Sequence, residues 1–163
     1  MAQEMSIDTT EWATFWERWK LVINQIPGFK EAMLADVGKT MTSEVRRAVA
    51  ASGVNDPRGR VQTWQNAHIG SGRGYVAVRA DSVEVTAGYR GRETANAGAL
   101  TNYLTAGHHV RQPSGRTKRY HPEAHVTRTR SFQFYKTVAG SADRTAADAA
   151  EAFCKRLLGG LNG

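Results

Sequence analysis

Between Thr9 and Ile26 the apolar residues Trp12, Phe15, Trp16, Trp19, Val22, Ile23 and Ile26 recur every three or four positions, with Glu11, Glu17, Arg18, Lys20 and Gln25 largely between them. That period predicts an amphipathic helix, capped by Asp8 or Thr9 and ended before Pro27. Three tryptophans on one stripe form a large apolar surface. They suit either the core of the same subunit or anchors on a neighbouring one, where tryptophan is enriched. The Pro27-Gly28 step sets this helix apart and would let it swing out. A second helix is predicted from Phe29 to Ala51, where Phe29, Met33, Val37, Met41, Val45 and Val49 repeat every four residues. Leu34 and Ala48 widen its stripe, and Gly53 with Asp56-Pro57 stops it.

Residues 54–74 are polar and glycine-bearing, and Val61, Trp64, Ala67, His68 and Ile69 suit a short helix or a strand. Alternation with period two in Tyr75–Ala80 and Val83–Tyr89 predicts a β-hairpin turning at Asp81-Ser82. Arg79, Glu84 and Thr86 lie on the faces opposite its apolar ones, so one side of the sheet meets water or a partner. Residues 90–98 read as a polar loop, followed by an apolar turn (Leu100, Tyr103, Leu104) before Gly107. Residues 108–130 have almost no apolar content and two prolines, and read as a long surface loop or an extended hairpin. A last helix begins at Ser131 with Phe132, Phe134, Tyr135 and Val138, and pauses at Gly140. It continues through Ala146, Ala150, Phe153, Leu157 and Leu158 to a stop at Gly159-Gly160. This order predicts an α+β fold: a small antiparallel sheet flanked by helices, with a long basic loop. Residues 1–27 form an N-terminal helical extension and residues 28–163 one domain.

A chain of 163 residues accommodates one such domain. With 40% apolar residues and 16 glycines, the core is expected to be modest and partly supported by neighbouring subunits. The formal charge of +7 is uneven. Residues 51–140 hold 13 Lys/Arg against 5 Asp/Glu, and 11 of the 13 are arginine, whereas both flanks are near neutral. Arginine's planar fork suits phosphate or carboxylate, so the segment implies an anionic partner, either DNA or an acidic protein surface. Cys154, among Phe153, Leu157 and Leu158, reads as a small apolar core residue. No secretory signal and no apolar run of ~20 residues is evident, so folding in a reducing cytoplasm is expected.

Candidate chemistry is sparse. A zinc site needs three or four ligands, and of His68, His108, His109, His121 and His125 only the last two sit in a suggestive spacing. Pro122 interrupts that spacing, and the carboxylate of HPEAH is misplaced for the helical zinc motif. Gly70-Ser71-Gly72-Arg73-Gly74 lacks the Lys-Ser/Thr ending of a phosphate loop and precedes a strand, so it reads as a turn. Asp81 reads as a turn residue, and no nucleophile elbow is present. No metal, cofactor or catalytic residue is therefore expected. The segment from His108 to Arg130 carries Arg111, Arg116, Lys118, Arg119, Arg128 and Arg130 against the single acid Glu123. Such an arm suits a phosphate backbone without sequence preference, or a seat between acidic patches of adjacent subunits.

Three features follow one another: the helix AMLADVGKTMTSEVRRAVAASG with a polar segment and hairpin after it, then NYLTAGHHVR, then RSFQFYKTVAG with a last helix. In this order they resemble the neck or tail-completion proteins that join head to tail in long-tailed phages. The resemblance spans about Phe29 to Leu161. The acidic residue common before the glycine in that family is here Thr105 or Ala106. The resemblance implies a virion protein without enzymatic activity, made in the host cytoplasm and assembled as a ring of six or twelve copies. The partners it implies are head connector or adaptor proteins and the tail terminator or tail tube, with genome DNA in the lumen and no membrane. It also implies that the basic loop contacts an adjacent ring or subunit. The other reading is a non-enzymatic, sequence-nonspecific DNA-binding accessory protein.

Overall fold

A computed structural model describes residues 10–70, 72–87, 93–108 and 128–162. The predicted caps Asp8 and Thr9 lie outside them. Helix α1 runs unbroken from Thr10 to Ala51, 42 residues with Pro27 inside it, so the predicted break is absent. Proline costs its own N–H bond and a clash with the carbonyl four residues back. Here Pro27 is exposed, so that carbonyl can turn to water. The apolar face keeps its register across the proline: Val22 and Leu34 are both buried. Packing on either side outweighs the local penalty. The far end behaves as predicted, with Gly53 at φ 78° just past the last turn.

The predicted hairpin is also different. A short helix, α2 (Arg60–Trp64), leads directly into strand β1 (Gln65–Gly70), so the ambiguous segment adopts both structures in turn. The Asp56 carboxylate starts α2 by accepting the N–H groups of Arg60 and Val61, each at 2.8 Å. β2 (Tyr75–Ala80) pairs antiparallel with β1, from Gln65 opposite Ala80 to Gly70 opposite Tyr75. It therefore pairs backward in the chain, through the 70–74 glycine turn, and not forward with the next strand. Gly74 at φ 70° and its N–H bond to the Gly70 carbonyl (2.8 Å) close that turn. β3 (Glu84–Ala87) and β4 (Glu93–Asn96) form a separate antiparallel pair. Asp81 is no turn residue: its N–H bonds the Trp64 carbonyl (3.0 Å) and its carboxylate accepts from Asn66. These bonds direct the chain away from a tight turn at Asp81-Ser82.

Helix α3 (Ala97–Ala106) is capped by Asn96, whose side chain accepts the Ala99 N–H at 3.2 Å. Helix α4 (Phe134–Asn162) shows neither a pause at Gly140 nor a stop at Gly159-Gly160. It lies antiparallel to α1, with Ser141 bonded to Glu44 near one end and Gly160 against Val22 near the other. A Cβ on Gly160 would stand 3.0 Å from Val22 Cγ2, so glycine permits a close helix approach here, and that contact holds the last turns in place. Cys154 is exposed, which corrects its expected core role. Phe153 and Leu157, four apart, take the half-buried positions, and Cys154 lies one step round with exposed Leu158. The result is the expected α+β architecture, with two antiparallel strand pairs and two long helices.

The core forms where α1, α2 and the start of α4 meet. Val45, Val49, Val61, Phe134 and Val138 are buried, with Met41, Trp64, Val78, Leu104 and Phe132 against them. Gly38 lets the strands reach α1, since a Cβ there would sit 2.9 Å from Ala67 Cβ. One polar pair lies within: Gln65 is fully buried, donates to the Val61 carbonyl (2.9 Å) and accepts from the Tyr135 hydroxyl. Burial raises the Tyr135 pKa above its ordinary value, and a backbone hydrogen bond at Ala80 offsets part of that rise. The folded protein therefore holds the phenol proton more tightly than the unfolded chain does. That contribution is complete below about pH 10 and is lost as pH rises through the folded-state value. The urea midpoint is expected to drop as pH rises above about 10, the ordinary phenol value, and less steeply in Tyr135→Phe. Parallel declines would contradict this.

Candidate interaction surfaces

At 1.5 Å per residue α1 is about 63 Å long and α4 about 43 Å. The two are matched near Val45 and Val138, so the uncovered length is at the start of α1. There, Trp12 is 71% exposed, Trp16 55% and Phe15 43%, while Trp19 is half-buried. The rings contact one another: Trp12 meets Phe15 edge-on at 6.2 Å between centroids, and Phe15 stacks on Trp19 at 6.3 Å. This stripe continues the helical face that Val22, Phe29 and Met33 turn toward α4, past the last turn of that helix. Of the two readings of the tryptophans, burial in the same subunit fails for Trp12 and Trp16.

Of the six cations singled out in the basic arm, Arg111, Arg116, Lys118 and Arg119 lie outside the described residues, as do His109, His121 and His125. Arg128 and Arg130 are exposed, yet each has a partner within the subunit. Arg128 Nη2 donates to the Ala106 carbonyl at 3.2 Å, at the negative end of α3. Arg130 lies 5.4 Å from the centre of the Phe132 ring. The two ends of the arm are joined. Thr129 N–H bonds the His108 carbonyl (2.9 Å), and the Thr129 hydroxyl accepts the His108 N–H (2.9 Å). Phe132 and Gln133 N–H groups then satisfy the Leu104 and Thr105 carbonyls at the end of α3.

A second cationic surface was not apparent from net charge by segment. Lys39, Ser43, Arg46 and Arg47 lie on one face of α1 and line a cleft of about 450 Å³ with Thr42, Gln62 and Asn66. Arg46 is fixed by neutral acceptors, with Nε and Nη2 on the Gln65 carbonyl (3.2 and 3.0 Å) and Nη2 on Asn66 Oδ1 (3.0 Å). Asn66 in turn donates to Asp81, whose other oxygen lies 3.3 Å from His68 Nε2 without hydrogen-bond geometry. The first 50 residues are near neutral in sum, which conceals this face. Helical spacing of 39, 43, 46 and 47 is the signal that reveals it.

Among the described residues, no group of three or more His, Cys, Asp or Glu side chains is placed to hold a metal ion. No described helix is long and apolar enough to cross a membrane. No family model, no curated protein and no solved structure matches this chain.

Proposed function

We propose that this chain is a non-enzymatic structural subunit of a phage particle, forming a ring at the neck that joins the head connector to the tail. The observation that carries the assembly reading is the aromatic stripe on α1, which extends beyond α4 with Trp12 and Trp16 exposed. Large aromatic side chains held on a rigid helix are suited to act as anchors on a neighbouring protein. The resemblance of residues 29–161 to neck proteins supplies the place of assembly, and with it the connector, tail-terminator or tail-tube partners and the six- or twelve-fold ring. The arm between His108 and Arg128, joined at its ends, supplies a cationic surface for adjacent subunits or for genome DNA in the lumen.

The test is Trp12→Ala/Trp16→Ala in the phage. Truncating an anchoring aromatic costs upward of about 1 kcal/mol, so the pair should weaken the contact roughly thirtyfold. Filled heads and finished tails are expected to stay separate in electron micrographs. Normal infectious titre from this variant, or virions whose head–tail junction lacks the chain under immunogold labelling, would overturn the reading. A second reading, a sequence-nonspecific DNA-binding accessory, is favoured by the cationic cleft on α1. Tight, steeply salt-dependent DNA binding by a monomer, with no particle defect in the variant, would favour it.

A further inference from the structure

The cleft on α1 has an unusual composition for an open surface. Its lining includes Lys39, Arg46 and Arg47 but no carboxylate, and among the described residues none of the three forms an ion pair. Asp36, one turn from Lys39, lines a different cleft, between α1 and α4. Asp81 is one residue removed, behind Asn66. Three uncompensated charges thus stand within about 12 Å of helix, where walls of protein concentrate their field.

A hydroxyl is also left over. Thr14, Thr105 and Thr137 each return their hydroxyl to the carbonyl four residues back, at 3.1, 2.8 and 3.2 Å. Thr42, in α1 and lining the cleft, does not: its Oγ1 is buried and has no partner. A buried hydroxyl without a partner costs stability unless a ligand supplies the bond.

We infer that this cleft binds phosphate groups, of a nucleic-acid backbone or of a free phosphate compound. Lys39 and Arg47 make the charged contacts, Arg46 presents a guanidinium already fixed by Gln65 and Asn66, and the Thr42 hydroxyl donates to a phosphate oxygen. A single carboxylate brings one charge and two oxygens, which leaves most of this donor set unmatched. A free phosphate compound carries more charge and more acceptor oxygens, a duplex backbone sets several singly charged phosphates within the length of the cleft, and both accept the planar arginine fork. The site belongs to the folded subunit and depends on no ring.

The experiment measures binding of the full chain to a short, labelled, mixed-sequence DNA duplex by fluorescence anisotropy across a salt series. Inorganic pyrophosphate and polyglutamate serve as competitors. Lys39→Ala/Arg47→Ala is expected to weaken binding about tenfold and to lower the salt slope by about two. Arg18→Ala/Arg144→Ala removes the same charge from exposed positions elsewhere and should change affinity less than about threefold. Both pairs alter exposed side chains, and circular dichroism verifies that each variant folds. Displacement by pyrophosphate but not by polyglutamate marks a free phosphate compound as a ligand. Binding of the duplex that resists both competitors, and is still lost in the cleft variant, marks the polymer backbone. Equal losses in the two variant pairs would overturn the proposal. So would displacement by polyglutamate as readily as by pyrophosphate, or no binding of duplex and pyrophosphate at all. Failure here leaves the assembly reading standing, because that reading is tested through Trp12 and Trp16.

Discussion

Phe134→Ala is expected to lower the free energy of unfolding by about 3–5 kcal/mol. Phe134 is 0% exposed and the largest of the fully buried side chains. It opens α4, and it packs with Val45 and Val49 of α1 and Val61 of α2. Truncation therefore removes the ring that joins α4 to α1 and α2 at once. Collapse into the gap is hindered, because the neighbouring Gln65 is fixed by bonds to Val61 and Tyr135. Phe134 also lies against the Tyr135 ring, at 4.8 Å between centroids, so the buried polar pair should loosen with it. Chemical denaturation followed by circular dichroism is the measurement, with a large drop in midpoint at unchanged slope as the expected result. A loss under about 1 kcal/mol would mean that the core is not centred on this ring.

Gly107→Ala is expected to cost about 3 kcal/mol or more, although it adds a single methyl group. Gly107 adopts φ 69° and ψ 163°, a region open essentially to glycine and costing other residues about 1–3 kcal/mol. An added Cβ would also stand 2.7 Å from the Thr129 carbonyl oxygen, a backbone atom. Relief would require moving the segment that bonds His108 to Thr129 and covers the last carbonyls of α3. The damage should thus reach beyond residue 107, to the join that holds the two ends of the basic arm. Gly140→Ala is the control, since a Cβ there meets nothing within 4 Å. Denaturation midpoints of the two variants should differ clearly. Similar midpoints would show that the chain at Gly107 can adopt an ordinary backbone conformation.

Local signals in the chain were legible where local physics decides the outcome. The four-residue repeat from Phe29 to Val49, the stop at Gly53, the alternation in Tyr75–Ala80 and the aromatic opening of the last helix each correspond to an observed feature. The α+β class follows from that order of elements. The tryptophan stripe was visible as well, but not which side of it would be covered. Lys39, Arg46 and Arg47 were all in plain view, and yet their cleft exists only because α2 and β1 pack beside α1.

What the amino-acid sequence determined by itself, then, is the set of helical and extended segments and the apolar face of each. Period and turn chemistry act over a few residues and need no distant partner. Tertiary structure alone decided that α1 continues through Pro27, that α4 continues through Gly159-Gly160, and that β2 pairs with β1. In each, contacts between residues far apart in the chain outweigh a local preference worth only a few kcal/mol. The same holds for exposure. Trp12 and Trp16 lie open because α4 is shorter than α1 and is aligned with its other end, a relation that appears only once the two helices are packed together.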